Sequence, residues 1–357
     1  MLDLFSSIKA IRLAVVLVIS IGLLASSGCD VPGLKRKVTV PPLLGPLAEA
    51  DTGELLAAIN RTAALRSIRG KVDIQFLDTS FAECGVAEKY RTADGTVTLQ
   101  RPGQIYLVIQ TPFVNYSVAE MTSDGEGFRV AVLMGDEKYR RFVRGTNSAV
   151  YPKLESKGEQ ADCGSDEKKK RVTQQQAVSA LSGLRPQHFT DALLLLPAAE
   201  AGSNLVYARS EQFEEEADTR PRAKESARVV RGYYVLDELA PEGEGRARLV
   251  RRFWFDRFEK IKLAKLQTFD ERGQLTTDVL YNDPKSFGED GRYVLPSRIE
   301  LTRPQDRYSL RINYQAPEAV VVDRPYNAKT FVLDNKWQLQ EVDLDARGAS
   351  AKSQQKQ

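Results

Sequence analysis

The stretch "LPSRIELTRPQDRYSLRINYQ", residues 295–315, decides how the chain is to be read. Tyr308, Leu310, Ile312 and Tyr314 alternate with Ser309, Arg311 and Asn313. A period of two sends the first set to one face of a strand and the polar set to the other. The same habit extends in both directions. Upstream lie "RVVRGYYVLDEL", "RARLVRRFWFDRF", "EKIKLAKLQTFD" and "LTTDVLYND"; downstream lies "TFVLDN".

The first half repeats the pattern. In "KVDIQFLDTS", Val72, Ile74 and Phe76 share one phase while Lys71, Asp73 and Gln75 share the other. Four further strand segments follow, "TVTLQRPGQIYLVIQTP", "YSVAEMTSD", "FRVAVLMGD" and "KYRRFVRG", with turn signals at Arg101-Pro102-Gly103 and Asp124-Gly125. Connections this short join antiparallel neighbours. About eleven strands in one meander exceed what a flat sheet carries, so the expectation is an α+β, mostly β chain curled into an unclosed antiparallel barrel. Lys138, Arg140, Arg141 and Arg144 of "KYRRFVRG" fit a charged outer face, or else phosphates at a cavity mouth. Phe253, Trp254, Phe255 and Phe258 fit core and rim.

Helices interrupt this pattern twice. "DTGELLAAINRTAALRSIRG" places Asp51 and Glu54 at capping-box spacing and Leu55, Leu56, Ile59 and Ala63 on one stripe, with Gly70 as the expected stop. In the middle, "TQQQAVSALSGL" and "RPQHFTDALLLLP" predict two short helices within 173–197, flanked by charge-dense loops expected at 152–176 and 209–228. The run Leu193, Leu194, Leu195 and Leu196 makes the second helix a candidate lid or plug for the inside of the curl. It either fills that space permanently or leaves when an apolar ligand enters.

The N-terminal segment determines the expected compartment. Lys9 and Arg12 precede an apolar run from Leu13 to Ala25, too short for the roughly 20 residues a spanning helix needs, and small residues follow at 26–28. "SSGC" resembles the lipobox of bacterial lipoproteins, although Ser26 stands where that family prefers Leu. The resemblance implies a signal peptide over 1–28, a lipid-attachment site at Cys29, and a membrane partner reached through that lipid. It also implies a periplasm-facing place in the bacterial envelope; the outer membrane is favoured over the inner, and the two stay open because Asp30 resembles an inner-membrane retention signal. Residues 29–50 carry Pro32, Pro41, Pro42 and Pro46, which exclude a helix and predict an extended tether. The remaining cysteines, Cys84 and Cys163, stand in matching acid-Cys-Gly settings; they are either a disulfide pair or two free thiols. Residues 346–357 carry no apolar side chain larger than alanine and predict a disordered tail.

Composition narrows the function classes. The 357 residues are 42% hydrophobic with a net charge of +3, a balance without the concentrated basic face that nucleic acid requires. His188 is the single histidine, so any Ser-His-Asp or Cys-His mechanism would have to use it; its neighbours place it on a helix surface or lid. No phosphate loop, HExxH or G-x-S-x-G occurs, and the expectation is a protein without catalysis, cofactor or metal.

"TFDERGQLTTDVLYND", then residues 295–315, then "FVL" near the end form a succession that resembles the Lol-type lipoprotein carrier superfamily, the LolA/LolB-like fold. The first half matches more loosely, through the N-terminal helix and "GTVTLQRPGQIYLVI", so that the resemblance spans most of 51–345. It implies a half-barrel plugged by helices, with an apolar cavity for acyl chains of lipids or lipoproteins. The alternative is a structural or sensory envelope lipoprotein whose interior is filled and which acts through an envelope protein partner. No functional residue of the carriers is carried over to a position here.

Overall fold

The computed structural model describes residues 40–78, 93–111, 116–135, 137, 140–147, 149, 185–198, 203–288 and 291–346. Cys29, Cys84, Cys163, the segment 1–28, the loop 152–176 and the helix expected from "TQQQAVSALSGL" lie outside these residues. Two units divide the chain, residues 1–42 and 43–357. Of the first, only 40–42 are described, outside any helix or strand and with Val40 exposed.

In the second unit, helix α1 (Thr52–Ala63) leads into strands β1 (Ser67–Asp78), β2 (Ala93–Gln100), β3 (Gln104–Gln110), β4 (Ser117–Ser123), β5 (Gly127–Val132) and β6 (Arg141–Thr146). Helix α2 (Pro186–Leu193) follows, then β7 (Val206–Ala217), β8 (Arg228–Gly243), β9 (Arg246–Asp256), β10 (Lys262–Phe269), β11 (Leu275–Phe287), β12 (Tyr293–Arg303) and β13 (Tyr308–Tyr314). Two short strands, β14 (Val321–Val322) and β15 (Gln340–Asp343), close the series. All lie in one 15-stranded sheet of order β15-β6-β5-β4-β3-β2-β1-β13-β12-β11-β10-β9-β8-β7, with β14 beside β1.

The sheet is therefore two antiparallel meanders, β1–β6 and β7–β13, sewn together where β1 pairs with β13 from Val72↔Tyr314 to Asp78↔Tyr308. That seam is the strand that alternation identified: Tyr308, Leu310, Ile312 and Tyr314 are all buried. Its partner turns Val72 and Ile74 to the same side, and Phe76 stacks on Tyr308 with ring centroids 5.6 Å apart. The order is open, since β15 and β7 end the path without meeting.

Two details show that the sheet curls. The carbonyls of neighbouring residues Leu195 and Leu196 accept hydrogen bonds from Arg101, just after β2, and from Arg251 of β9. In a flat sheet β2 and β9, six steps apart along the path, would stand about 29 Å from each other at roughly 4.8 Å per step. Two arginine side chains meeting at adjacent carbonyls cannot bridge that gap, so the sheet bends round the segment that they hold. The core fills this concave side, where Leu55 and Ile59 of α1 join Val72, Leu107, Phe253 and Val279 in one buried cluster.

Several expectations change in detail. Among the described residues the strands number fifteen rather than about eleven, and the pairing of β15 with β6 is parallel. Helix α1 has its capping box, with Asp51 and Glu54 exchanging 2.8 Å backbone bonds, but it stops at Ala63. Gly70 lies inside β1, where an added Cβ would sit 2.8 Å from the Val320 side chain and 3.1 Å from Tyr314, so close packing places glycine there. The charged stretch expected as a loop over 209–228 is half strand: β7 pairs with β8 along its whole length, from Val206↔Leu239 to Ala217↔Arg228. Charge density misled here because β7 is an edge strand with solvent on both faces over most of its length, and charged side chains on an edge discourage pairing with other chains. "TFVLDN" holds a single 3-10 turn rather than a strand; Phe331 and Leu333 are buried, and Leu333 packs with Trp337 and Leu339 against Ala131, Leu133 and Phe142 on the far side of β5 and β6.

Part of the segment expected as an extended tether, residues 43–48, is bonded to the sheet. From Leu43 onward it is woven into the sheet: Leu43 bridges Val230 in parallel, Leu44 N–H donates to Val230 O at 2.8 Å, and Ala48 N–H donates to Arg257 O at 2.6 Å. Arg257, only 3% exposed, donates to Ala48 O at 3.1 Å, to Glu211 at 2.6 Å and to Glu49, and its guanidinium stacks 4.1 Å above the Tyr234 ring. Tyr234 in turn donates to Glu49.

Candidate functional site

Helix α2 starts at Pro186, whose fixed φ suits a first helical position and whose missing N–H is not needed there. Its apolar side enters the core: Phe189 is 1% exposed and Ala192 equally closed. The helix packs against β3, β4 and β12. His188 and the Tyr308 hydroxyl share a hydrogen bond, and the Tyr281 hydroxyl donates to Ala192 O at 3.1 Å. His188 is thus buried where α2 meets the sheet rather than on the helix surface. Burial holds its pKa well below the ordinary value, reinforced by Arg303 and Arg185, so the ring is neutral at pH 7. Desolvation likewise raises Tyr308 and Tyr281.

Beyond Leu193 the backbone leaves helical geometry, and the four leucines part company. Leu194 and Leu195 are each 3% exposed, Leu193 is half-buried against the core, and Leu196 is 54% exposed. Three of the four candidate lid residues face inward and one faces out, because the extended chain after the helix no longer keeps side chains on one stripe.

What holds this extended piece is polar. Arg101 donates from Nη2 to Leu195 O at 2.6 Å and from Nε to Leu65 O at 2.8 Å. Arg251 donates to Leu196 O at 3.0 Å and to Pro197 O at 2.9 Å while forming two 2.6 Å bonds with the Glu238 carboxylate. Ala198 N–H donates to Asn60 Oδ1 of α1 at 2.9 Å. Glu238 is 1% exposed and also accepts from the Tyr207 hydroxyl at 2.5 Å. Sequence reading missed Arg101, Arg251, Glu238 and Asn60. A signal existed for two of them: Arg251 shares the inward phase of β9 with Phe253 and Phe255, and Glu238 shares that of β8 with Tyr234 and Leu236. A charge on an apolar phase marks a buried pair.

One side of α2 is different. Asp191 retains solvent-accessible surface, yet desolvation raises its pKa to about 6 against the lowering effect of Arg303. Arg303 does not pair with it, being engaged by Asp306 at 2.8 Å and Thr277 at 2.6 Å.

The other aromatic and basic candidates have structural places. Phe253 and Phe255 are in the concave core, while Trp254 points the other way, with Tyr233 and Val235. Arg144 pairs with Asp343 of β15 at 2.9 Å, on the edge of the sheet. Among the described residues no cluster of His, Cys, Asp and Glu is placed to hold a metal ion, and no helix is long and apolar enough to cross a membrane.

No family model matches the chain, and no curated protein matches it. Among solved structures it is similar to a LolA superfamily protein from Nitrosomonas europaea, at 12% identity and a TM-score of 0.38 over 80% of this chain and 99% of that one. A DUF1329 family protein from Desulfovibrio piger aligns at 10% identity and a TM-score of 0.38, covering 80% and 97%. A Vibrio parahaemolyticus domain described as an outer membrane lipoprotein-sorting protein aligns at 11% identity and 0.36, covering 77% and 95%.

Proposed function

We propose that this chain is an envelope lipoprotein, anchored through Cys29, whose curled sheet binds or hands on acylated ligands beneath α2 without catalysis. The observation that carries the reading is the way the lid is held. Its apolar side chains occupy the concave core, but residues 195–198 are fastened by side-chain hydrogen bonds from Arg101, Arg251 and Asn60 rather than by a strand ladder. Such a segment can be exchanged as a unit. Acyl chains entering the core would replace the contacts of Phe189, Leu194 and Leu195 at about 0.8 kcal/mol per buried methylene. The lipobox-like leader and the Lol-type succession of strands support the same reading from the sequence.

The test is extraction of the purified full chain with organic solvent followed by lipid mass spectrometry, together with uptake of a fluorescent fatty acid. A bound lipid beyond the anchor itself, or saturable uptake, is expected. An empty extract with no uptake would leave a filled interior and a protein acting through contacts with other envelope proteins.

A further inference from the structure

The chain's single histidine stands where α2 meets the sheet. His188 is buried, and among the described residues its ring makes one hydrogen bond, with the Tyr308 hydroxyl of β13. Tyr308 lies at the end of the seam between the two meanders and is buried as well, stacked on Phe76. A neutral imidazole needs no counter-charge in such a place. An imidazolium brings a full positive charge and two N–H donors, and here it meets a single hydroxyl oxygen. The neighbouring elements supply nothing to neutralise it. Arg303 of β12 and Arg185 before α2 are both positive and oppose a charged ring. Asp306 is bonded to Arg303, and the Tyr281 hydroxyl of β11 donates to Ala192 O. β3 and β4 turn Leu107, Ile109, Ala119 and Met121 into the core, while Tyr106 and Glu120 bond each other in the opposite phase. Asp191, the one acid of α2, is exposed.

We propose that this contact is a proton-coupled joint: undocking of α2 takes up one proton at His188, and Asp191 limits how far acid loosens the helix. While α2 is docked, burial and the two arginines keep the ring from protonating; once undocked, it regains the ordinary value of about 6.5. Docking is therefore at full strength above about pH 6.5. Below it the opening constant driven by His188 grows by up to about tenfold per pH unit, the effect of one proton. Asp191 works in the opposite sense. Its carboxyl, raised to about 6 in the folded chain, gives up a proton when the helix undocks, so below about pH 6 it offsets the uptake at His188. The native helix loosens over the narrow span just below pH 6.5, and the full response emerges once Asp191 is replaced. The joint belongs to the contact of α2 with β13 and does not depend on what the core binds.

The experiment titrates the full chain from pH 7.5 to pH 5 with two readouts. With ring-labelled histidine a single carbon NMR signal reports His188, and in the native chain it should still be that of a neutral ring at pH 6. Hydrogen exchange followed by mass spectrometry gives protection factors for the amides of α2, with those of α1 as the internal control. In Asp191→Asn the protection of α2 should fall by about tenfold per pH unit below about pH 6.5 while α1 holds, and in the native chain the fall should be shallower. The double variant Asp191→Asn, His188→Gln keeps a hydrogen-bonding group beside Tyr308 without a titrating one, and its α2 protection should not change with pH. A ring that titrates at pH 6.5 or above overturns the joint, and that measurement needs no variant to fold. So does an α2 protection that is flat in Asp191→Asn, that falls equally in the double variant, or that falls only together with α1. No readout involves a lipid, so an empty core would overturn the acyl-binding reading and leave this result untouched.

Discussion

Arg251 offers the most direct test of the lid, because it makes two kinds of bond that can be separated. Its guanidinium holds the Leu196 and Pro197 carbonyls and also neutralises Glu238, whose side chain is 2% exposed. In Arg251→Met the Glu238 carboxylate keeps the Tyr207 hydroxyl but loses its counter-charge, and breaking a buried pair from one side costs about 3–5 kcal/mol. In the double variant Arg251→Met, Glu238→Gln no buried charge is stranded, and the remaining loss is the two lid hydrogen bonds plus packing over Phe253, about 2 kcal/mol in all. Urea titration followed by circular dichroism should therefore show the double variant to be more stable than Arg251→Met alone, by about 2 kcal/mol. With about 1.5 °C per kcal/mol for a folded unit of this size, the melting temperatures should differ by about 3 °C. The second readout is uptake of a fluorescent fatty acid by the double variant, which should be faster than in the native chain because the lid carbonyls have lost their donor. Equal stability of the single and double variants would refute the coupling of Arg251 to Glu238. An unchanged uptake rate in the double variant would refute the role of Arg251 as a lid fastener.

Three further outcomes follow from the same coordinates. Asp191 has a folded pKa of about 6, above the ordinary 3.8, so its ionised form is penalised by the fold: stability is lost as pH rises through this window and stays lower above it. Asp191→Asn should match the native melting temperature near pH 3.5 and exceed it at pH 8, and a difference independent of pH would count against this. Leu194→Glu places a charge at a 3% exposed site and should lower the melting temperature while speeding ligand uptake; no change in either would remove Leu194 from the lid. Gly125 has φ +106°, and an added Cβ would lie 2.9 Å from Pro102 O, so Gly125→Ala should cost about 1–3 kcal/mol in urea titration, with an unaltered midpoint as the contrary result.

Much of the fold was legible because alternation is a local property. The phase of Tyr308 through Tyr314 gave the buried face directly, and the turn signals at Arg101-Pro102-Gly103 and Asp124-Gly125 fall where β2 hands over to β3 and β4 to β5. The pairing of β1 with β13 was not legible, since it joins residues some 235 positions apart and no periodicity encodes a partner. The edge strand β7 escaped notice for a different reason: with little apolar surface to bury, "RSEQFEEEA" has the composition of a loop, and only its ladder with β8 makes it a strand. The leucine run marks a segment that does reach the core, through Leu193, Leu194 and Leu195. Its fasteners were hidden because each donor comes from a different element, and the carbonyls that receive them have no sequence signature.

The weaving of residues 43–48 into the sheet determines where mechanical load travels. A pull on the N-terminal segment meets the bonds of Leu44 to Val230 and of Ala48 to Arg257 before it reaches α1. Traction is thus taken up by β8 and the end of β9, with the Arg257 clasp as reinforcement. Residues 195–198 hang on other side chains, Arg101, Arg251 and Asn60, so tension applied at residue 43 is not borne by the bonds that fasten them.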